Sequence, residues 1–273
     1  MTIESRTMLP TRSGWALHVT MQGILPTNAA EVVSERLLPI LGASAVHSRV
    51  RLARLSEPDL VRPIVAQLDV QLARHRVRAQ VAAATTSEVV SMLAVRTIGQ
   101  LHPFPGVLAP CLRDQAISTS PPTPPELLPP FARRLARHKL CEPAAMTANE
   151  AIGVLEAMDY RFHLFRERHS REDSVVVRSA SGSYRILQSL PNAIGIEITS
   201  PPIVLTTAHR LTVADATAWL DLTGAPFEIF VDRATGRVSV LYARYDGHYG
   251  LLAPTPALRR RRAAGLRSSR GSW

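Results

Sequence analysis

Residues 226–250 read PFEIFVDRATGRVSVLYARYDGHYG, and residues 161–185 read RFHLFRERHSREDSVVVRSASGSYR. The two stretches belong to an ungapped match of 146–187 onto 211–252, at an offset of 65, with eleven identities in 42 positions. The identities include Thr147/Thr212, Ala151/Ala216, Leu155/Leu220, Phe162/Phe227, Phe165/Phe230, Val175/Val240, Gly182/Gly247 and Tyr184/Tyr249. Each copy opens with a capping box, Thr147-Ala148-Asn149-Glu150 or its Asp form Thr212-Val213-Ala214-Asp215, so a short helix is predicted there. Two strands follow, Phe162–Phe165 then Ser174–Arg178, or Phe227–Phe230 then Ser239–Ala243. The later copy closes with Arg244-Tyr245-Asp246-Gly247-His248-Tyr249-Gly250, where Asp-Gly favours a tight hairpin. A unit of about fifty residues with so few strands buries little apolar surface alone, so each copy needs a partner.

Ahead of the duplication the chain changes character. Ten of the 21 prolines lie between Pro103 and Pro143. Proline fixes φ and lacks an N–H, so this stretch reads as a semi-rigid spacer. In front of it, Trp15–Gly23 alternates, with Leu17, Val19 and Met21 on one face and His18, Thr20 and Gln22 on the other. Thr27 or Asn28 can cap a helix to about Leu41, stopped by Gly42. Strands are predicted at about Val46–Leu55, Ile64–Ala73 and Arg76–Ala84, and Thr86 or Ser87 caps a second helix ending near Leu101. The order β-α-β-β-β-α makes a sheet with both helices on one face, like a double-stranded-RNA-binding module within an α+β chain. The expected divisions are 12–102 for this front domain, 103–135 for the spacer, 136–190 and 203–256 for the repeats, and 257–273 for an Arg-rich tail.

The strand period also predicts what the other face carries. With Val50, Leu52, Leu68, Val70, Val77, Ala79 and Val81 turned to the helices, His18, His47, Arg49, Arg51, Gln67, Gln71, Arg76, Arg78 and Gln80 share the open surface, and Asp69 is the only acid there. The net charge of +10 is segregated in the same sense: +4 over 1–102, +2 over 103–145, −2 over 146–258 and +6 from Arg259 onward. Basic ends suit a polyanion, and the near-neutral interior suits protein contact. Lys139 is the only lysine, so nearly every cation is a guanidinium fork. The run Arg259, Arg260, Arg261 and Arg262 reads either as a plain tail or as further phosphate contact.

Several function classes drop out. Two cysteines, Cys111 and Cys141, exclude a disulfide scaffold and a multi-cysteine zinc site. No apolar run approaches membrane-span length and the first residues lack a signal-peptide core, so a reduced, cytoplasmic protein is the default expectation. There is no Gly-rich phosphate loop, nucleophile elbow or His-Glu-x-x-His run, so neither cofactor, metal nor catalysis is expected. The patch His163–His169 is interrupted by Arg166 and Arg168 and reads as a solvated strand end rather than a metal site.

The segment Leu211–Thr255, with Phe227-Glu228-Ile229-Phe230 and the Asp-Gly-x-Tyr-Gly hairpin, closely resembles the C-terminal domain of long-form ribosome hibernation-promoting factors. The front domain and spacer match that family's N-terminal half, and the Arg-rich chain with a second C-terminal copy looks like its actinobacterial, dormancy-associated branch. The resemblance implies a non-catalytic protein whose front domain binds rRNA in the small-subunit decoding region, blocking mRNA and tRNA. It also implies that the C-terminal domains mediate contact between factors. Three departures stand out: the helices offer only Arg36 and Arg96, the first copy has Ser179–Arg185 in place of the hairpin motif, and two copies stand where the common long form has one.

The rRNA contacts are therefore expected from His18, His47, Arg49, Arg51, Arg76 and Arg78, with Arg36, Arg96 and Arg259–Arg262 in support. An RNA-binding regulator acting on free RNA or on the transcription apparatus is the alternative that fold and charge leave open. The two copies are expected to pair with each other through Phe162, Phe165, Phe227, Phe230, Tyr242 and Tyr249, giving a monomer; pairing between chains is the alternative. No membrane partner is expected.

Overall fold

The computed structural model describes residues 4–10, 16–41, 47–73, 75–104, 108, 112, 124–179, 181–196 and 202–255. The front sheet has strands β1 (Glu4–Pro10), β2 (Ala16–Gln22), β3 (His47–Arg54), β4 (Ile64–Gln71) and β5 (Arg76–Ala83) in spatial order one to five. Helix α1 (Ala29–Leu37) links β2 to its parallel neighbour β3, and α2 (Thr86–Leu101) follows β5. Leu17, Val50, Leu52, Leu68, Val70 and Val77 pack with Val33 and Leu37 of α1 and Val89, Val90 and Leu93 of α2, so both helices cover one face.

Three local details differ from the sequence expectation. Strand β1 is additional, antiparallel to β2. Its Glu4, Ser5, Arg6 and Met8 are exposed, and an edge strand held by backbone bonds needs no apolar alternation to announce it. The N-cap of α2 is Thr85, whose hydroxyl accepts from Glu88 N–H at 3.2 Å while the Glu88 carboxylate accepts from Ala84 N–H. Regular α1 ends at Leu37, ahead of Pro39, which has no N–H to continue the ladder; Gly42 lies outside the described residues.

The repeats do not build consecutive sheets. One sheet runs β11 (Ile203–Thr207), β10 (Tyr184–Gln188), β9 (Asp173–Arg178), β8 (Phe162–Glu167), β7 (Ala145–Met146). The other runs β12 (His209–Leu211), β13 (Phe227–Asp232), β14 (Val238–Ala243), β15 (Tyr249–Pro254), β6 (Leu135–Cys141). Each repeat thus lends its leading strand to the other's sheet: β6 runs parallel to β15, and β11 parallel to β10. The spacer's last part is also fixed. Leu128 N–H bonds the Gly247 carbonyl at 3.1 Å, and Arg133 reaches the Leu128 carbonyl, Asp221 and Tyr249.

Both capping boxes form, Thr147/Glu150 opening α3 (Ala148–Ala157) and Thr212/Asp215 opening α4 (Val213–Thr223). Helix α3 covers Phe165, Val176, Tyr184 and Ile186 in its own sheet, and α4 covers Phe230, Leu241, Tyr249 and Leu251 in the other. The remaining apolar faces meet in one shared cluster of Leu164, Val175, Val177, Ile229, Val231, Val238 and Val240, with Phe162 and Phe227 packed on it. Phe162 lies 5.3 Å from Phe227 and 5.6 Å from Tyr242 between ring centroids. Gly250, opposite Tyr242, leaves room for that ring. Of the six aromatics expected at the pairing surface, Phe162, Phe227 and Tyr242 lie there. Phe165, Phe230 and Tyr249 instead turn to their own helices: i and i+3 on a strand face opposite ways, and Tyr249 pairs with Ala243, whose face is opposite to that of its neighbour Tyr242. Tyr249 donates to Asp221, and burial with that carboxylate pushes its phenol up to about 12.

The first hairpin, whose residues depart from the motif, keeps the backbone of the second. Ser179 N–H bonds the Ser183 carbonyl at 2.7 Å and Gly182 N–H the Ser179 carbonyl at 3.0 Å; Arg244 to His248 and Gly247 to Arg244 repeat the pattern. One glycine with φ near +80, Gly182 at +83 or Gly247 at +78, is what the turn requires.

His163 is not at a solvated strand end. It packs between Tyr160 and Phe165, and its Nε2 is buried without a hydrogen-bond partner among the described residues. Burial pushes its imidazole down to about 4. Below its usual value near 6.5 the unfolded chain takes up a proton that the fold refuses, and above that value the group has no effect. Stability should fall by up to about 1.4 kcal/mol per pH unit from 6.5 towards 4. His163→Phe keeps the stack and should remove that slope, read as urea midpoints at about pH 7.5 and pH 5. Phe162→Ala should cost about 2–3 kcal/mol and lower both repeats together in one calorimetric transition.

Candidate nucleic-acid interface

The open face of the front sheet is ordered by its cross-strand register. One row runs Met8, His18, Arg49, Asp69, Arg78 across β1 to β5. The next runs Arg6, Thr20, Arg51, Gln67, Gln80. A third joins His47, Gln71 and Arg76 on β3 to β5. His47, Arg49, Arg51 and Arg76 are exposed and His18 is half-buried.

Asp69 divides the guanidiniums into two groups. Its carboxylate takes Arg78 Nε at 2.8 Å, Arg76 at 3.2 Å and the Gln67 amide at 2.7 Å. Arg76 and Arg78 are therefore partly neutralised. Arg51 donates to the Gln22 side chain at 3.0 Å, and neither Arg49 nor Arg51 makes an ion pair among the described residues. Beside Arg49 the sheet is cleft by a cavity of about 380 Å³, lined by Arg6, Met8, His18, Thr20, His47 and Arg49. The His18 and His47 rings sit 4.8 Å apart, centroid to centroid. Asp69 is not the only acid on this face, because β1 adds Glu4, which holds Arg6 at 3.1 Å. Among the described residues Arg49 is then the unpaired guanidinium beside this pair of flat rings, where a phosphate can bind and an unpaired base can stack.

The expected contacts do not all converge. Arg36 is exposed at the end of α1, in the helical layer behind the sheet. Arg96, on α2, is bonded to Asp159 of the first repeat, and the Arg78 guanidinium lies 5.9 Å from the ring centre of Tyr160. Arg259–Arg262 lie outside the described residues. Arg6 was missed with its strand, and Asp159 because only tertiary structure brings it to α2. Its one sequence signal is an acid where the second repeat has Gly224.

Among the described residues, no helix is long and apolar enough to cross a membrane, and no three His, Cys, Asp or Glu cluster as metal ligands.

Comparison with known proteins agrees with this architecture. The C-terminal model of the sigma 54 modulation/S30EA ribosomal protein family matches twice, at 131–186 and 202–251. Each match begins just before an exchanged strand, so the lent strand belongs to the family's unit. The dormancy associated translation inhibitor of Mycobacterium tuberculosis is 32% identical over 223 residues, covering 76% of either chain. The ribosome hibernation promotion factor of Bradyrhizobium diazoefficiens is 29% identical over 128 residues, 45% of this chain and 53% of that one. With a relative aligned along three quarters of its length and the C-terminal unit present twice, the chain belongs to the long-form ribosome hibernation-promoting factors, in their actinobacterial, dormancy-associated type.

Proposed function

We propose that this protein is a ribosome hibernation factor whose front domain occupies the small-subunit decoding region. There it blocks mRNA and tRNA and preserves inactive ribosomes in the cytoplasm. The observation that carries the reading is the open sheet face, where Arg49 and Arg51 make no ion pair among the described residues and the cleft between His18 and His47 opens beside Arg49. The names of the relatives, which speak of translation inhibition and ribosome hibernation, support it. The contact needs no chemistry beyond phosphate pairing and steric exclusion.

The repeats serve a monomer in this reading. Each has a bare apolar sheet face and a strand to lend, and both needs are met within one chain. Tethering sets an effective concentration of roughly millimolar, far above that of a second molecule. The factor then silences single ribosomes without joining two.

Two measurements test these statements. Arg49→Glu with Arg51→Glu should abolish co-sedimentation with small subunits. The parent's log affinity should fall steeply with log salt, by about 0.7–0.9 for each phosphate contacted. Asp69→Asn, which releases Arg76 and Arg78, should move affinity the other way. If the Arg49/Arg51 variant still sediments with ribosomes, the face is misassigned. A pool bound to free RNA or polymerase would favour the regulatory alternative. Light scattering on the full chain should give 29.9 kDa independent of concentration; a stable dimer, or ribosome pairs formed on adding the protein, would contradict the closed pair.

A further inference from the structure

The two repeats differ where α3 and α4 end. Residues Asp159-Tyr160-Arg161 occupy the place of Gly224-Ala225-Pro226. Both turns need a left-handed residue, with φ +52 at Asp159 and +64 at Gly224. Glycine takes that conformation freely, whereas a side chain is retained there at a cost. In the first repeat that side chain is used.

The Asp159 side chain is 2% exposed; Arg96, Gln100 and the Gln80 N–H of the front domain donate to it, and Arg161 of its own repeat adds a positive charge nearby. Arg96 grips both carboxylate oxygens, with Nε at 3.2 Å from Oδ2 and Nη2 on Oδ1. Gln100 donates its amide at 3.2 Å, and the Gln80 backbone N–H donates at 3.3 Å. Gln80 lies on β5, the outer strand of the front sheet, so its N–H faces away from β4. Tyr160 meanwhile lies under Arg78. At the far end of the contact, Arg62 bonds Glu126 at 3.2 Å, and His248 Nε2 lies 3.5 Å from Glu57.

A buried carboxylate survives only where donors replace its water, and here they form a set of their own: a guanidinium fork, an amide and a free strand-edge N–H. That set equally suits a nucleic-acid phosphate. We infer that Arg96, Gln100 and the Gln80 N–H form a phosphate site at the edge of the front domain, filled in the free protein by Asp159 as an internal stand-in. RNA must displace the first repeat to reach it. The first repeat is therefore a lid that competes with RNA, and freeing Arg96 while uncovering Arg78, still held by Asp69, extends the basic face to the β5 edge. The inference rests on the RNA-binding reading of the front domain.

The test uses the full chain and purified small ribosomal subunits. Asp159→Gly copies the residue the second repeat has at this turn, and Asp159→Asn keeps a side chain that tolerates it while removing the charge. Both variants should stay folded, and small-angle scattering without RNA should show a larger radius of gyration than the parent. Subunit affinity should tighten about tenfold, the factor by which a population about nine-tenths closed weakens binding. Adding Arg96→Gln should remove most of that gain while leaving the extended shape. If the variants open but bind no more tightly, the Arg96 site takes no RNA and the inference falls, while the sheet-face reading, tested separately at Arg49 and Arg51, stands. If they stay closed, Asp159 is not the latch, and the inference is overturned on that ground. If the variants open and neither they nor the parent bind subunits, both readings fall.

Discussion

Each C-terminal sheet has two apolar faces and one helix to cover them. Helix α3 and helix α4 each bury one face, and the faces left over meet through Phe162, Leu164, Val175, Phe227, Ile229 and Val240. Left bare, either would be a large apolar patch of the kind soluble proteins avoid. The exchange of β6 and β11 adds backbone ladders to that packing, so neither sheet is complete without a strand from the other repeat. The rest of the back half follows from this closure. Strand β6 must reach β15, which draws the end of the spacer over the second hairpin, where Leu128 closes on Gly247 and Arg133 on Asp221 and Tyr249.

Charge is distributed in keeping with that architecture. Acids in the repeats are engaged by arginines: Glu150 holds Arg168 and Asp246 holds Arg244 within one repeat, Asp173 holds Arg166 and, across the repeats, Arg237, and Asp159 holds Arg96 of the front domain. On the open face of the front sheet the acids lie to the sides: Asp69 is set towards the β5 edge with Arg76 and Arg78, and Glu4 lies on the outer strand β1 with Arg6. The β2–β3 side keeps its guanidiniums and imidazoles available. A phosphate backbone meeting this face would therefore find the strongest field around Arg49 and the neighbouring cleft.

Divergence between the copies falls on side chains, not on backbone. Ser179–Ser183 and Arg244–His248 make the same turn from unrelated residues, because one left-handed glycine and two main-chain bonds define it. What the second copy's motif adds is packing. A Cβ at Gly247 would strike Leu128, and one at Gly250 would strike the Tyr242 ring, whereas one at Gly182 would meet open space. The change from Gly-Ala-Pro to Asp-Tyr-Arg likewise keeps the turn and turns one repeat towards the front domain.

Local physics was legible in the sequence. Alternation gave the faces of β2 to β5, capping boxes gave the starts of α3 and α4, and the duplication gave two related sheets that need a partner. The open-face residues followed from a period of two, which a strand cannot escape. Three things were decided only by tertiary structure: the added edge strand β1, the exchange of β6 and β11, and the capture of Arg96 by Asp159. Side-chain pattern records which residues are buried, but ladder bonds are made by main-chain groups that every residue carries alike. Ion pairs form where distant segments happen to meet. The sequence by itself therefore determined which surfaces are apolar or basic, and the tertiary structure decided which strand completes which sheet and which charge is covered.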